Sequence, residues 1–255
     1  MRWLRYEHDG RRAFGALDGE TITRYEGDLF AGPAATAETV PLADVTLLPP
    51  VEPTKMLGLW NNFAALGAKL GLGVPQHPLY FVKAAAAYAT SGAAIRKPSS
   101  YAGRVLFEAE LGVVIGKRCT DADEAAAREA IFGYTCVNDV TAFDWLNEDP
   151  SFPQWSRAKS CDGFAIFGPV VATGLDPMTL TMRAELNGEE RQNFPASDML
   201  IPPARIVSLI SHDMTLLPGD VIACGTSVGS GSMKPGARIE VSIEGIGTLA
   251  NTFAG

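Results

Sequence analysis

The stretch Phe107-Glu108-Ala109-Glu110-Leu111-Gly112-Val113-Val114 constrains the fold of this chain more than any other. It lies in the clearest strand-like run, Arg104 to Ile115. Side chains alternate faces along a strand, so Phe107, Ala109, Leu111 and Val113 share one face and enter a core. Glu108 and Glu110 then stand side by side on the other face. Like charges that close repel unless solvent or a cation separates them. Two readings follow: a solvated strand face, or a metal site. Oxygen-only donors would select magnesium, manganese or calcium over zinc or copper. Asp139 adds weight to the metal. It closes Gly133-Tyr134-Thr135-Cys136-Val137-Asn138-Asp139, an apolar run ending in two polar residues, and ends of buried strands are where ligands are presented. Lys159, in Arg157-Ala158-Lys159-Ser160, is either a solvated loop lysine or the cation that balances this cluster and polarises a substrate oxygen.

At 255 residues and 47% hydrophobic, the chain can bury a sizeable core, and 20% charged residues is ordinary for a globular protein. A net charge of −8 repels phosphate backbones and argues against a nucleic-acid partner. Acidic substrates stay open, because a buried metal reverses the local sign. Met1-Arg2-Trp3-Leu4-Arg5 leads into charged residues, so no signal peptide and no membrane span are expected, and the expected location is the cytoplasm. Cys119, Cys136, Cys161 and Cys224 form no CxxC pair and suit no zinc site. They read as reduced thiols, most of them in the core.

The expected fold class is α+β and β-rich. Asp9-Gly10 and Asp18-Gly19 are hairpin signals that place a small β module over residues 1–48. Leu48-Pro49-Pro50-Val51-Glu52-Pro53 reads as a linker, and residues 49–255 as the main domain. Residues 121–132 predict a helix, with Asp121 and Glu124 at capping-box spacing and Gly133 closing it. A second helix is expected from Pro203 to Ser211, and a short one around Ala64–Leu70. Pro218-Gly219-Asp220 and Pro235-Gly236-Ala237 each introduce a strand, Glu244-Gly245 joins the last two strands, and Gly229-Ser230-Gly231-Ser232 reads as a flexible loop.

These residues carry a family resemblance. From residue 50 onward the chain resembles the fumarylacetoacetate hydrolase superfamily. The carrying motifs are Glu108 to Gly116, Gly133 to Val140, Lys159-Ser160-Cys161-Asp162-Gly163-Phe164, Asn187-Gly188-Glu189, Pro218 to Ile222, Gly225-Thr226 and Ile243 to Gly247. Residues 1–45 resemble the small N-terminal module of bacterial members. The resemblance implies a mixed β-roll, a homodimer, and magnesium or manganese held by Glu108, Glu110 and Asp139. It implies that Lys159 is catalytic beside the metal, and that Lys83 and Thr226 contact substrate. It also implies cleavage of a carbon–carbon bond in an acylpyruvate-like or β-diketone substrate through a metal-stabilised enolate. Decarboxylation of an oxo-acid and keto–enol tautomerisation are alternatives on the same site, and so is an inactivated or purely binding variant.

The chain departs from the family at informative positions. The segment Gly-x-Asn-Tyr-x-x-His is here Gly58-Leu59-Trp60-Asn61-Asn62-Phe63-Ala64, so alanine stands where the water-activating histidine is expected. Alanine moves no proton. His77, just before Pro78-Leu79-Tyr80-Phe81-Val82-Lys83, is then the candidate base, against its reading as a solvated loop residue. Phe143 and Leu146 stand where members often carry arginine and glutamine. They either simply pack or form an apolar pocket end for an alkyl or aryl group.

Overall fold

Tight turns set the registers first. Asp9 and Gly10 adopt φ of 48° and 72°, and Asn187 and Gly188 adopt 55° and 80°. Two consecutive left-handed residues match the strand twist in a two-residue hairpin. In the computed structural model, which describes residues 1–255, these turns join Arg2–His8 to Arg11–Asp18 and Thr181–Leu186 to Glu189–Pro195.

The larger sheet runs Ala34–Pro41, Thr21–Glu26, Arg11–Asp18, Arg2–His8, Ala165–Ala172, Ile131–Asp139, Ala109–Ile115, Val221–Ala223, Met56–Trp60 and Leu79–Lys83. The N-terminal strands therefore extend the main sheet: Arg2 pairs with Ala172 and Trp3 with Val171. A second sheet orders Glu189–Pro195, Thr181–Leu186, Arg238–Ile243, Gly247–Phe253 and Ala94–Ile95. Its inner side chains, among them Met182, Ala184, Val241 and Leu249, share one buried cluster with Leu111, Val113, Cys136 and Ile166 of the larger sheet. A smaller cluster containing Val114, Val137, Phe167 and Val221 covers the opposite face. Every residue from Ala109 to Ile115 is consequently buried. Neither face of that strand is solvated, so a solvated-face reading of Glu110 is lost.

Four α-helices attach to these sheets: α1 (Ala64–Leu70), α2 (Glu124–Ala130), α3 (Trp155–Lys159) and α4 (Pro203–Asp213). The helix predicted over 121–132 is shorter at both ends. Asp121 takes φ of 47°, and Asp123 caps α2 by accepting from the Ala126 amide at 2.8 Å. Gly133 does not close the helix. It lies in the strand Ile131–Asp139, where a Cβ would strike the carbonyl oxygen of Ala172. Ala127 and Ala130 of α2 pack in the core with Ile206, Val207 and Ile210 of α4, while Ala125 and Ala126 are exposed. α4 begins at Pro203 as expected and runs two residues past Ser211. Gly231–Ser232 is a short strand against Val105–Phe107, where a flexible loop was expected. No helix is long and apolar enough to cross a membrane. Three cysteines are buried and Cys161 is half-buried, all of them free thiols.

Candidate metal centre

The site forms where two strands end together. Ala109–Ile115 pairs antiparallel with Ile131–Asp139, setting Ala109 opposite Asn138 and Glu110 opposite Val137. Glu108 falls in the break between Val105–Phe107, which joins a small three-stranded sheet, and Ala109–Ile115. Its amide donates to Asn138 Oδ1 at 3.2 Å, and its carbonyl accepts from the Asp139 amide at 3.0 Å. These bonds lock the two chains side by side. One carboxylate oxygen from each of Glu108, Glu110 and Asp139 lies within 4.8 Å of the others.

Each carboxylate is oriented by its own partners. Thr141 Oγ1 donates to Glu108 Oε1 at 2.9 Å. Lys159 Nζ donates to Glu108 Oε2 at 2.7 Å and to Asp139 Oδ2 at 2.8 Å. Lys83 Nζ pairs with Asp139 Oδ1. The Gly225 amide donates to Glu110 Oε2 at 2.7 Å, while Glu110 Oε1, fully buried, has no partner. A buried carboxylate oxygen without a donor is costly. A cation held by the three carboxylates would supply what it lacks. The donor set is all oxygen and suits a hard divalent ion. With all three carboxylates ionised, Lys83 and Lys159 leave one negative charge unmatched, which a divalent ion would turn into a net positive one.

Burial and charge shape the ionisation of this cluster. Burial pushes the Glu110 carboxyl well above its ordinary range, and the Asp139 and Glu108 charges add to the effect. Burial also opposes the Asp139 charge, but Lys159 and Lys83 outweigh it and hold that carboxyl below its usual value. The two lysines diverge. Burial lowers Lys83 more than Asp139 raises it. Lys159 is equally buried, yet Asp139, Glu108 and Glu110 together raise it above an ordinary lysine. Lys159 meets two carboxylates where Lys83 meets one, and the charge of Lys159 lowers Lys83 further.

This arrangement can be set beside known proteins. The Fumarylacetoacetate (FAA) hydrolase C-terminal family matches residues 55–254, and the Rv2993c-like N-terminal family matches residues 1–50. The chain belongs to the fumarylacetoacetate hydrolase family. Among its relatives, Protein Rv2993c of Mycobacterium tuberculosis is 39% identical over 249 residues, covering 94% of this chain and 92% of that one. The structure of a 2-hydroxyhepta-2,4-diene-1,7-dioate isomerase from Mycobacterium marinum is 37% identical, with a TM-score of 0.91 over 99% of this chain and 98% of that chain. A fumarylacetoacetate hydrolase from the psychrophilic Exiguobacterium antarcticum is 31% identical, with a TM-score of 0.83 over 99% of both chains. The β-roll expected for a fumarylacetoacetate hydrolase is therefore the fold observed, and the family's members include both an isomerase and a hydrolase.

Within this family member, the structure gathers Glu108, Glu110, Asp139 and Lys159 into one cluster and adds Lys83. Lys83 was expected against substrate; it is fully buried against Asp139. Thr226, also expected there, donates to the Ala109 carbonyl at 2.8 Å and accepts from Gln192 Nε2 at 2.9 Å, so its hydroxyl braces the loop that carries Gly225. Phe143 is 39% exposed with the Arg104 guanidinium 4.7 Å above its ring, while Leu146 packs against the core. His77 is exposed and makes no side-chain hydrogen bond or ion pair. His8 pairs with Asp9 and His212 with Asp121, so no histidine touches the cluster. Ala64 is the exposed first residue of α1.

Sequence reasoning missed Gln192 and Asn62. Gln192 Oε1 accepts from the Ala109 amide at 2.9 Å between the two glutamates. Asn62 bonds to the carbonyls of Cys224 and Ile201, tying the base of α1 to the Gly225 loop. Both look like surface polar residues in sequence. The alternation of Glu189–Pro195, with Gln192 and Phe194 inward, was the one available signal.

Proposed function

We propose that this centre uses magnesium or manganese, bound by Glu108, Glu110 and Asp139, to act on a small oxo-acid or 1,3-dicarbonyl compound through an enolate. The bound ion would polarise substrate oxygens and oppose the negative charge developing on them. The observation that carries the reading is the buried carboxylate triad with one oxygen lacking any donor and an ammonium, Lys159, at its edge. Lys159 is held protonated by Asp139 and Glu108, so it can donate to a developing oxyanion. In a water-poor site such a preorganised cation acts far more strongly than in solvent. Lys83 fixes the other oxygen of Asp139 and so orients that ligand.

Carbon–carbon hydrolysis of an acylpyruvate or β-diketone needs an activated water in addition. Keto–enol isomerisation or decarboxylation does not, and one observation favours these: no histidine contacts the cluster and Ala64 carries no titratable group. A homodimer belongs to the same proposal. The test is turnover of an acylpyruvate, oxaloacetate and a β-diketone with Mg²⁺ or Mn²⁺, with products identified. Two fragments without carbon dioxide establish hydrolysis. Carbon dioxide establishes decarboxylation, and a faster approach to the same keto–enol equilibrium, with no other product, establishes isomerisation. Absence of metal-dependent turnover on all three would contradict the proposal.

A further inference from the structure

Beside the carboxylates lies an aromatic cavity that the metal chemistry does not use. Its volume is about 690 Å³, and Trp60, Leu79, Phe81, Phe152 and Trp155 line it. That size suits a small ligand. The strands place it on the same face as the cluster. Trp60 pairs with Leu79, Gly58 with Phe81 and Met56 with Lys83, so Leu79, Phe81 and Lys83 point to one side. Phe81 belongs to both regions: it lines the cavity, and Lys159 Nζ lies 5.2 Å from its ring centroid. A Cβ at position 58 would come within 2.5 Å of that ring, so only glycine lets Phe81 lie there.

The walls are flat and apolar. Trp155 stacks on Phe81 with centroids 5.3 Å apart and 18° between planes, and Trp60 lies 5.4 Å from Trp155. Phe152 is 66% exposed at the cavity. The one charged lining residue is Arg157. Its guanidinium pairs with Glu148 and sits 4.1 Å over the Trp145 ring, so its charge is already met. A second carboxylate on a substrate would have to compete with Glu148 for Arg157, and setting it against the apolar walls without that cation is costly. Trp155 and Lys159 are four residues apart on α3, one turn, or roughly 6 Å along the axis. A ligand whose oxygens meet Lys159 therefore reaches the aromatic walls through a short carbon link.

We infer that the cavity holds an uncharged aromatic tail, making the preferred substrates aryl-substituted 2,4-dioxo acids rather than dicarboxylates. This rests on the oxo-acid reading of the centre. The test compares benzoylpyruvate, acetylpyruvate and fumarylpyruvate on the Mg²⁺-loaded protein. Binding is measured by calorimetry and, separately, turnover by product formation. Benzoylpyruvate is expected to bind about tenfold more tightly than acetylpyruvate, since aromatic contacts add to the area buried. Fumarylpyruvate should bind more weakly than benzoylpyruvate. Trp60→Leu should lower the benzoyl-to-acetyl affinity ratio by ~10-fold. Phe152→Ala, at an exposed position that folding tolerates, should lower it by about threefold. Aryl-selective binding that both variants weaken, without any turnover, would uphold the cavity while sinking the enolate chemistry. Turnover with no aryl preference, or a preference that neither variant changes, would overturn the cavity assignment and leave the chemistry standing.

Discussion

Replacing Glu110 with glutamine separates what the buried carboxylate does for the fold from what it does for the metal. Glu110 is fully buried, with Oε2 held by the Gly225 amide at 2.7 Å and Oε1 without a partner. Glutamine keeps the shape and the bond from Gly225. Its amide nitrogen can then donate towards the Asp139 and Glu108 oxygens, which lie within 4.8 Å. Relieving an unsatisfied buried polar group is worth about 1–3 kcal/mol. For a chain of this size that raises Tm by roughly 2–4 °C per kcal/mol. Glu110→Gln should therefore be more stable than wild type in EDTA, by up to about 12 °C. The order should reverse with metal. A ligand at 100 times its Kd adds ~2.7 kcal/mol to a protein that binds it, and the variant should lose most of that gain. The sign with pH follows from the raised Glu110 carboxyl. Below its ordinary value of 4.5 both folded and unfolded chains carry it protonated, and the wild type bears no penalty. As pH rises through that value the unfolded chain ionises freely and the folded one does not, so the advantage of glutamine grows towards neutrality. The assay is thermal unfolding of both proteins at pH 4 and 7, in EDTA and across a Mn²⁺ titration. A variant less stable than wild type in EDTA at pH 7, with a full Mn²⁺-induced rise in Tm, would show that Glu110 neither burdens the metal-free fold nor holds the ion.

Other consequences are equally direct. Lys159→Met should lower kcat by about 10²–10³-fold, the usual loss for one oxyanion donor, while the metal-induced rise in Tm persists; an unchanged kcat would remove Lys159 from the chemistry. Ala64→His should increase acylpyruvate hydrolysis, within the ~10²–10⁴-fold range of general-base catalysis. His77→Ala, at an exposed residue that touches no part of the cluster, should leave residual hydrolysis and metal binding unchanged; a loss of cleavage in that variant would make His77 the base after all. Burial pushes the Cys136 thiol from 9.0 up to about 12, so the folded chain keeps a proton that the unfolded chain releases above pH 9. Stability from this thiol is complete below pH 9 and falls by ~1.4 kcal/mol per pH unit until about pH 12. Urea unfolding at pH 8 and 10.5 should show a lower midpoint for wild type at the higher pH, and a smaller drop for Cys136→Ala.

The candidate metal ligands were legible in sequence through local rules, which left a solvated face open until the family resemblance favoured an ion. Alternation put Glu108 and Glu110 together, and the polar end of a strand marked Asp139. The hairpin at Asp9-Gly10 was legible for the same reason, since left-handed backbone selects those residues. What escaped depends on contacts distant in sequence. Lys83 reaches Asp139 only because Leu79–Lys83 lies beside Met56–Trp60 in the sheet. The N-terminal strands join that sheet through Trp3 and Val171, a pairing with no local signature. Gly133 looked like a helix terminus, yet the close approach of Ala172 is what requires it. The aromatic cavity needed Trp60 and Trp155 to meet across nearly a hundred residues, which periodicity cannot reveal.

An enolate-stabilising centre built from Glu108, Glu110, Asp139 and Lys159 must speed the loss of protons from carbon beside a bound carbonyl. Proton exchange tests it without presupposing hydrolysis, isomerisation or decarboxylation. Pyruvate in D₂O loses its methyl protons slowly unaided, and proton NMR follows the loss directly. Rapid exchange is expected with the Mn²⁺- or Mg²⁺-loaded protein, abolished by EDTA and by Glu110→Gln, and strongly slowed by Lys159→Met. Exchange no faster than in buffer with metal alone, or equally fast in EDTA and in both variants, would contradict it.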